Sequence, residues 1–367
     1  VKSFQVELSP AIPLHRQIER TLRGRIESGE LPAGKPLPNT REMARQMGVH
    51  PLTLQKALRR LKNDGLIDRT PRLGSFVRGA AQAPAIALII GPSLTLECAH
   101  FHRALARMLQ AETSERWAPR LYDGLPTEAS PEANAANKPF LALKRDCDHL
   151  PFTGVIAVGF GYQPWTAIEA LRRLPYAWMG IASFESDLAF DHAHFAREAA
   201  AHFAGQGRRH VAYLRTFSHW SWSRGDRETF AAAAAAGGIG RTQIHDLDDL
   251  GQQGIFDEYV AYTRVSAIVK EWCRTGWPDA VVVTDDVVTR SVALALLHVN
   301  QPGARRPALL TWANDSTRFA YGLPVARYEI PVAFCARRLK AILDRRMDGK
   351  ALPEGQELVR GRITEAE

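Results

Sequence analysis

The sequence predicts an α/β fold, divided between a small α+β domain over residues 1–79 and a larger domain of helix-covered parallel sheets over residues 85–367. Three observations predict it. The first 79 residues hold two apolar stripes at helical spacing, with a helix-capping pattern between them, followed by two short strand-like runs. They also hold the net charge: 15 Lys and Arg stand against 7 Asp and Glu there, and the resulting +8 equals the +8 of the whole 367-residue chain. Beyond residue 84, short β-rich apolar runs alternate with amphipathic helical stretches, the pattern of parallel sheets covered on both faces. Residues 80–84 are small and end in Pro84, which suits a linker.

In the first domain, Leu14, Ile18, Leu22 and Ile26 recur on one helical face, and Gly29 ends that helix. Asn39 is a cap for a second helix, with Glu42 three residues on completing an Asn-x-x-Glu capping pattern. Gly48 is the turn. His50 and Pro51 open a third helix, where the missing N–H of proline costs nothing at the first position. Leu54, Ala57, Leu58 and Leu61 form its buried stripe, which leaves Thr53, Gln55, Lys56, Arg59, Arg60 and Lys62 outward, a surface suited to phosphates and base edges. The chain then turns at Asp64-Gly65 into strands near 66–67 and 75–77, with Arg72 at the tip between them. This is a winged helix-turn-helix. Arg41, His50, Thr53, Gln55 and Arg59 are the expected major-groove and phosphate contacts, and Arg72 is expected in the minor groove or on the backbone.

Residues 13–77 carry Pro13-Leu14, Gln17-Ile18, Gly29-x-Leu31-x-x-Gly34, Leu37-Pro38-x-x-Arg41-Glu42-x-Ala44, Gly48-Val49, Thr53, Ala57-Leu58-x-x-Leu61, Gly65-Leu66-Ile67 and Gly74-x-Phe76-Val77. In that order they resemble the DNA-binding domain of the GntR family of bacterial transcription regulators. The family usually has Ser after Pro38 and Ser-Arg after Val49. Here Asn39 and His50-Pro51 stand instead, and Gln55 occupies a slot where some relatives use arginine, so the operator sequence does not carry over.

In the second domain, strands are expected at 85–90, 154–160, 176–181, 210–214, 280–284, 308–312 and 325–330. Helices are expected at 101–109, 195–204, 259–272, 288–297 and 332–347. Ligands of such sheets bind beyond the carboxyl ends of the strands. Three passages there point one way: Asp191 leading to Gly207-Arg208-Arg209-His210; Ser223, Arg224, Asp226, Arg227 and Phe230; and residues 279–286 ending in Asp285-Asp286. They are similar to the effector domain of the LacI family and its periplasmic sugar-binding cousins. That resemblance implies two lobes, a cleft between them crossed three times by the chain, and a small-molecule effector, a sugar by family likeness. It assigns ligand hydroxyls to Arg227 and Asp286, with Arg224 and Asp285 as competitors. Phe230 follows Arg227 by three residues rather than the family's four. Two tryptophans after a strand, Trp220 and Trp222, suit stacking on a sugar ring, as does Phe160 after a first-lobe strand, while Trp312 is expected to pack near a crossover.

Other classes find less support. No signal segment precedes the first domain and no apolar run approaches ~18 residues, so a cytoplasmic protein without a membrane partner is expected. Cys98, Cys147, Cys273 and Cys335 form no Cys-x-x-Cys pair, and neither Asp191-His192-x-His194 nor His245-Asp246 has metal-site spacing. No Gly-x-Ser-x-Gly elbow is present. No catalytic residue, metal or cofactor is therefore expected. The alternative is a DNA-binding domain fused to a pyridoxal-phosphate enzyme-like domain, whose chemistry needs a Schiff-base lysine. The five lysines after residue 79 lie outside any Ser/Gly-rich phosphate-binding context. Taken together, the two resemblances imply a ligand-responsive regulator, by default a repressor, that binds a near-palindromic duplex operator as a homodimer.

Overall fold

A computed structural model describes residues 13–28, 30–31, 36–70, 74–77, 84–111, 117–126, 130–148, 150–180, 185–216, 225–247, 250, 257–299 and 306–366. The chain divides into two compact units, one built on residues 1–85 with the short segments 115–118 and 142–152, the other on the remainder.

The first unit contains α1 (Leu14–Glu27), β1 (Pro36–Leu37), α2 (Thr40–Met47), α3 (Pro51–Asn63), β2 (Ile67–Thr70) and β3 (Gly74–Val77). Ile18, Leu22 and Ile26 of α1 meet Met43 and Met47 of α2 and Leu54, Leu58 and Leu61 of α3 in one core, closed by Ile67 and Val77 of the wing. The expected helices are all present. The wing has a third strand the sequence reading did not anticipate, β1, which pairs antiparallel with β3. A two-residue strand has no periodicity to detect.

The second unit is built on two six-stranded sheets. The first-lobe sheet has the order β14-β8-β7-β6-β4-β5, from β4 (Ala85–Ile90), β5 (Ala118–Asp123), β6 (Phe152–Phe160), β7 (Tyr176–Gly180), β8 (Leu188–Phe190) and β14 (Glu357–Val359). Its helices are α4 (His100–Ala111), α5 (Pro131–Ala136), α7 (Glu169–Arg172) and α12 (Val332–Met347), while α6 (Lys138–Asp146) is divided between the two units. The second-lobe sheet has the order β10-β9-β11-β12-β13-β15, from β9 (His210–Thr216), β10 (Arg241–Leu247), β11 (Ala280–Val283), β12 (Ala308–Asn314), β13 (Val325–Ile330) and β15 (Arg362–Thr364). Its helices are α8 (His192–Gly205), α9 (Asp226–Ala236), α10 (Glu258–Thr275) and α11 (Asp286–His298). The pairs β9–β10, β9–β11, β11–β12 and β12–β13 are parallel, and only β15 joins this sheet antiparallel.

Alternation along β9 explains the two helical layers. Ala212 and Leu214 share a core with Val265, Val269 and Trp272 of α10 and Val288 and Val292 of α11. Tyr213, pointing the other way, stacks on Phe230 of α9 at 4.3 Å and lies against Phe195 of α8. A strand buried on both faces reads as a continuous apolar run, which is why the central strands were legible.

The chain passes between the lobes three times: from β8 to α8, from β13 to α12 and from β14 to β15. The passages are tied together. Asp191 N–H donates to the Val359 carbonyl (3.0 Å), Arg360 Nε donates to the Asp191 carboxylate (2.8 Å) and Gly361 N–H donates to the Tyr328 hydroxyl (2.8 Å). Position 361 admits only glycine without displacement, since a Cβ there would lie 2.7 Å from the Glu329 carbonyl oxygen and 2.7 Å from the Tyr328 ring. Among the described residues no helix is long and apolar enough to cross a membrane.

Candidate functional site

Two regions bring functional side chains together, one in each unit. In the helix-turn-helix, the Asn39 side chain accepts the Glu42 N–H (2.8 Å) and starts α2. Glu42 does not reach back to complete the reciprocal cap; it accepts from Arg45 (2.9 Å) and Gln46 (2.8 Å) instead. Gly48 makes the turn at φ 63°, a left-handed conformation that costs an L side chain roughly 1–2 kcal/mol. His50 caps α3 by accepting the Leu52 N–H on Nδ1 (3.3 Å), and Pro51 occupies the first position.

The cap and the buried stripe decide which residues of α3 face outward. Arg60 is drawn aside into an ion pair with Glu19 (2.8 Å), and Glu19 also binds Arg23 (3.1 Å). Arg41, Gln55, Lys56 and Arg59 are exposed and make no hydrogen bond or ion pair within the described residues. Four polar side chains thus remain available on one helix pair, three of them cationic. Such a surface suits phosphate oxygens and base edges.

The second region lies between the lobes, at the carboxyl ends of the strands. α11 begins with two aspartates that have separate tasks. Asp285 accepts the N–H groups of Val287 (2.9 Å) and Val288 (3.0 Å), and burial, with the neighbouring charge of Asp286, pushes its carboxyl up to about 6. Asp286 is buried and faces the first lobe, where its oxygens lie 2.9 and 3.0 Å from Nε2 of His100, the first residue of α4. Burial opposes a charge on His100, but the hydrogen bond and charge of Asp286, with Asp285 behind it, raise its pKa above the ordinary value. Around this pair, Arg290 joins Glu97 of the first lobe and Glu258 of the second (3.3 Å to the latter), and Phe319 sets its edge against His100 at 5.2 Å.

Gly159, the next-to-last residue of β6, lies at φ 82°, and a Cβ there would meet Pro92 at 2.9 Å and His102 at 3.0 Å. At the first crossover His192 stacks on Trp312 at 4.7 Å, and burial pushes it down to about 3, so it is neutral.

Comparison with known proteins places these regions. Residues 14–77 match the family model "Bacterial regulatory proteins, gntR family", and residues 200–365 match "Periplasmic binding protein-like domain". The chain is a gntR-family helix-turn-helix fused to a periplasmic-binding-protein-like domain. Its gntR-family part is 42% identical over 66 residues to the HTH-type transcriptional repressor NagR of Bacillus subtilis, covering 18% of this chain and 27% of that protein. It is 34% identical over 65 residues to the histidine utilization repressor of Pseudomonas aeruginosa, covering 18% of this chain and 26% of that protein. The chain thus spans about a quarter of the length of these curated relatives.

The periplasmic-binding-protein-like fold is shared with three solved structures. One is the Cra regulator of Pseudomonas putida in complex with fructose 1-phosphate (TM-score 0.57, 15% identity, 78% of this chain and 100% of that one). The second is the lac repressor dimer bound to operator and the anti-inducer ONPF (TM-score 0.58, 14% identity, 78% and 94%). The third is a CelR–cellobiose complex (TM-score 0.56, 17% identity, 90% and 99%). The two sheets and the family match replace the alternative of a pyridoxal-phosphate enzyme-like domain.

The residues expected from sequence divide into three groups. Arg41, His50, Thr53, Gln55 and Arg59 stand on or at the start of α2 and α3, with Thr53 half-buried and the others exposed. Arg72, Trp220, Trp222 and Arg224 lie outside the described residues. In the periplasmic-binding-protein-like domain Asp286 lies between the lobes, whereas Arg227 is exposed on α9 and donates to Asp246 (3.1 Å). No contact among the described residues joins Arg227 to Asp286. The position four before Phe230 belongs to Asp226, which is buried and bound by Arg215 at 2.8 Å; Arg215 also pairs with Asp246 at 2.6 Å. Phe160 is fully buried at the end of β6, 6.2 Å from Tyr162.

His100 and Arg215 were missed by sequence reasoning. Arg215 had a signal, a charge interrupting an apolar strand. His100 had none, because its partner is 186 positions away. Among the described residues no three His, Cys, Asp or Glu side chains are grouped to hold a metal.

Proposed function

We propose that the protein is a transcription regulator, a repressor by default, that binds a near-palindromic duplex operator as a homodimer and responds to a small molecule held between its two lobes. The observation that carries this reading is the unpaired polar face of α2 and α3, with Arg41, Gln55, Lys56 and Arg59, on a gntR-family domain whose chain continues into a two-lobed binding fold. Arg41 and Arg59 act on phosphates and base edges, and Gln55 presents a bidentate amide suited to adenine. The protein works in the cytoplasm, on DNA rather than on a membrane.

The effector is a sugar or sugar phosphate, supported by the sugar complexes among proteins of like fold. Asp286 accepts its hydroxyls after His100 is displaced, so binding alters how the lobes meet. The second copy docks on the helix pair α10 and α11, which exposes Tyr259, Leu294 and Leu297; Arg290, one turn before Leu294, reaches Glu258, the neighbour of Tyr259.

Selection of bound duplexes from a random pool, followed by thermal-shift screening of sugars with and without the selected duplex, tests the reading. A palindromic consensus and a sugar that both raises the melting temperature and changes DNA affinity are the expected results. Failure to enrich any duplex sinks it.

A further inference from the structure

Leu52 is the one large apolar side chain left exposed among the described residues of the helix-turn-helix unit, with 61% of its surface in water. A single apolar residue on a surface is ordinary. Its position gives it meaning. It is the second residue of α3, and its backbone is fixed because its own N–H is the one accepted by the His50 cap. On a helix, residues three, four and seven positions apart share a ridge, so Leu52, Gln55, Lys56 and Arg59 form one outward row opposite Leu54, Ala57, Leu58 and Leu61. Two cations and a bidentate amide flank the leucine on a face with no other apolar member.

That row names its own partner. Lys56 and Arg59 suit phosphates, Gln55 suits adenine, and the apolar group that a major groove offers is the C5-methyl of thymine. The N-terminal end of such a helix is the end that meets base edges. We propose that Leu52 determines specificity by packing on a thymine methyl in each operator half-site, next to the base taken by Gln55. The proposal rests on the DNA-binding reading above. Burying one methyl group against the leucine corresponds to about a fourfold gain in affinity per half-site.

Deoxyuridine lacks only that methyl and keeps the pairing and the O4 acceptor of thymine. The full-length protein is titrated by fluorescence anisotropy against its selected operator, with each thymine replaced in turn by deoxyuridine. The expected result is one position per half-site where the replacement weakens binding about fourfold, with the loss absent in Leu52→Ala. Leu52→Met, which keeps an apolar reach, should retain the discrimination. Because Leu52 is exposed, neither substitution disturbs the core, and unchanged thermal melting verifies this. The proposal is overturned if no deoxyuridine position weakens wild-type binding, or if Leu52→Ala shows the same losses as wild type. Operator binding that is present but indifferent to the methyl overturns this proposal alone, whereas absence of any duplex binding overturns the regulator reading with it.

Discussion

Arg41 and His100 stand at opposite ends of what a single side chain reveals. Arg41 has no partner within the described residues, so Arg41→Ala should leave thermal melting unchanged while lowering operator affinity at least tenfold in a gel-shift titration. Unaltered affinity would mean that α2 does not face DNA. His100 is already engaged with Asp286 across the lobes, and its pKa is raised there. The sign follows: the contact is at full strength below the ordinary histidine value of about 6.5 and is lost as pH rises through the raised value. A charge-assisted hydrogen bond contributes about 1.5–3 kcal/mol. The melting temperature of wild type should therefore exceed that of His100→Gln at pH 6 by several degrees, and the gap should close toward pH 9. A gap independent of pH would show the imidazole to be neutral. The sequence resemblance assigned ligand hydroxyls to both Asp286 and Arg227. The structure sets Asp286 against His100 and Arg227 on the surface, and contacts of that range leave no local pattern.

At the level of elements, legibility followed burial. The central strands β4, β6, β7, β9, β11, β12 and β13 were read from their apolar runs. The strands that escaped are β5, β10, β14 and β15, the four edges of the two large sheets, together with β8 beside one of them. β10, Arg241–Leu247, leaves Arg241, Thr242 and Asp246 exposed, buries only Leu247 fully and also carries the polar Gln243 and His245. Polar edges avoid pairing with foreign strands, and the same polarity hides them from a hydrophobic pattern.

One such edge is fastened through Arg215, which grips Asp226 at the start of α9 and Asp246 on β10. Removing one member of a buried ion pair costs about 3–5 kcal/mol. Asp226→Ala should fall at the lower end, since Asp246 still neutralises Arg215, and urea denaturation with hydrogen exchange of α9 should detect it. A loss below ~1 kcal/mol would make the network a surface ornament. In the smaller unit, Asn39→Ala removes the α2 cap and should lower stability by about 1 kcal/mol in the same measurement.

For the whole molecule, charge and apolar surface divide the labour. Residues 1–79 hold the excess of cations, and the larger unit carries Tyr259, Leu294 and Leu297 exposed on α10 and α11. Leu294→Glu should therefore yield a monomer in sedimentation at micromolar concentration, with a loss of operator affinity but not of nonspecific, salt-sensitive binding. A variant that stays dimeric would move the interface elsewhere.

The threefold passage between lobes bears on how the chain matures as it is synthesised. The first-lobe sheet lacks an edge until β14 is made, and the second lacks one until β15 follows. Neither lobe is contiguous, so neither is finished before residues 357–364 emerge from the ribosome. The helix-turn-helix, built wholly from residues 14–77, closes its core almost three hundred residues earlier. For that interval the nascent polypeptide presents a finished helix-turn-helix with no completed two-lobed domain behind it, an order of birth dictated by topology alone.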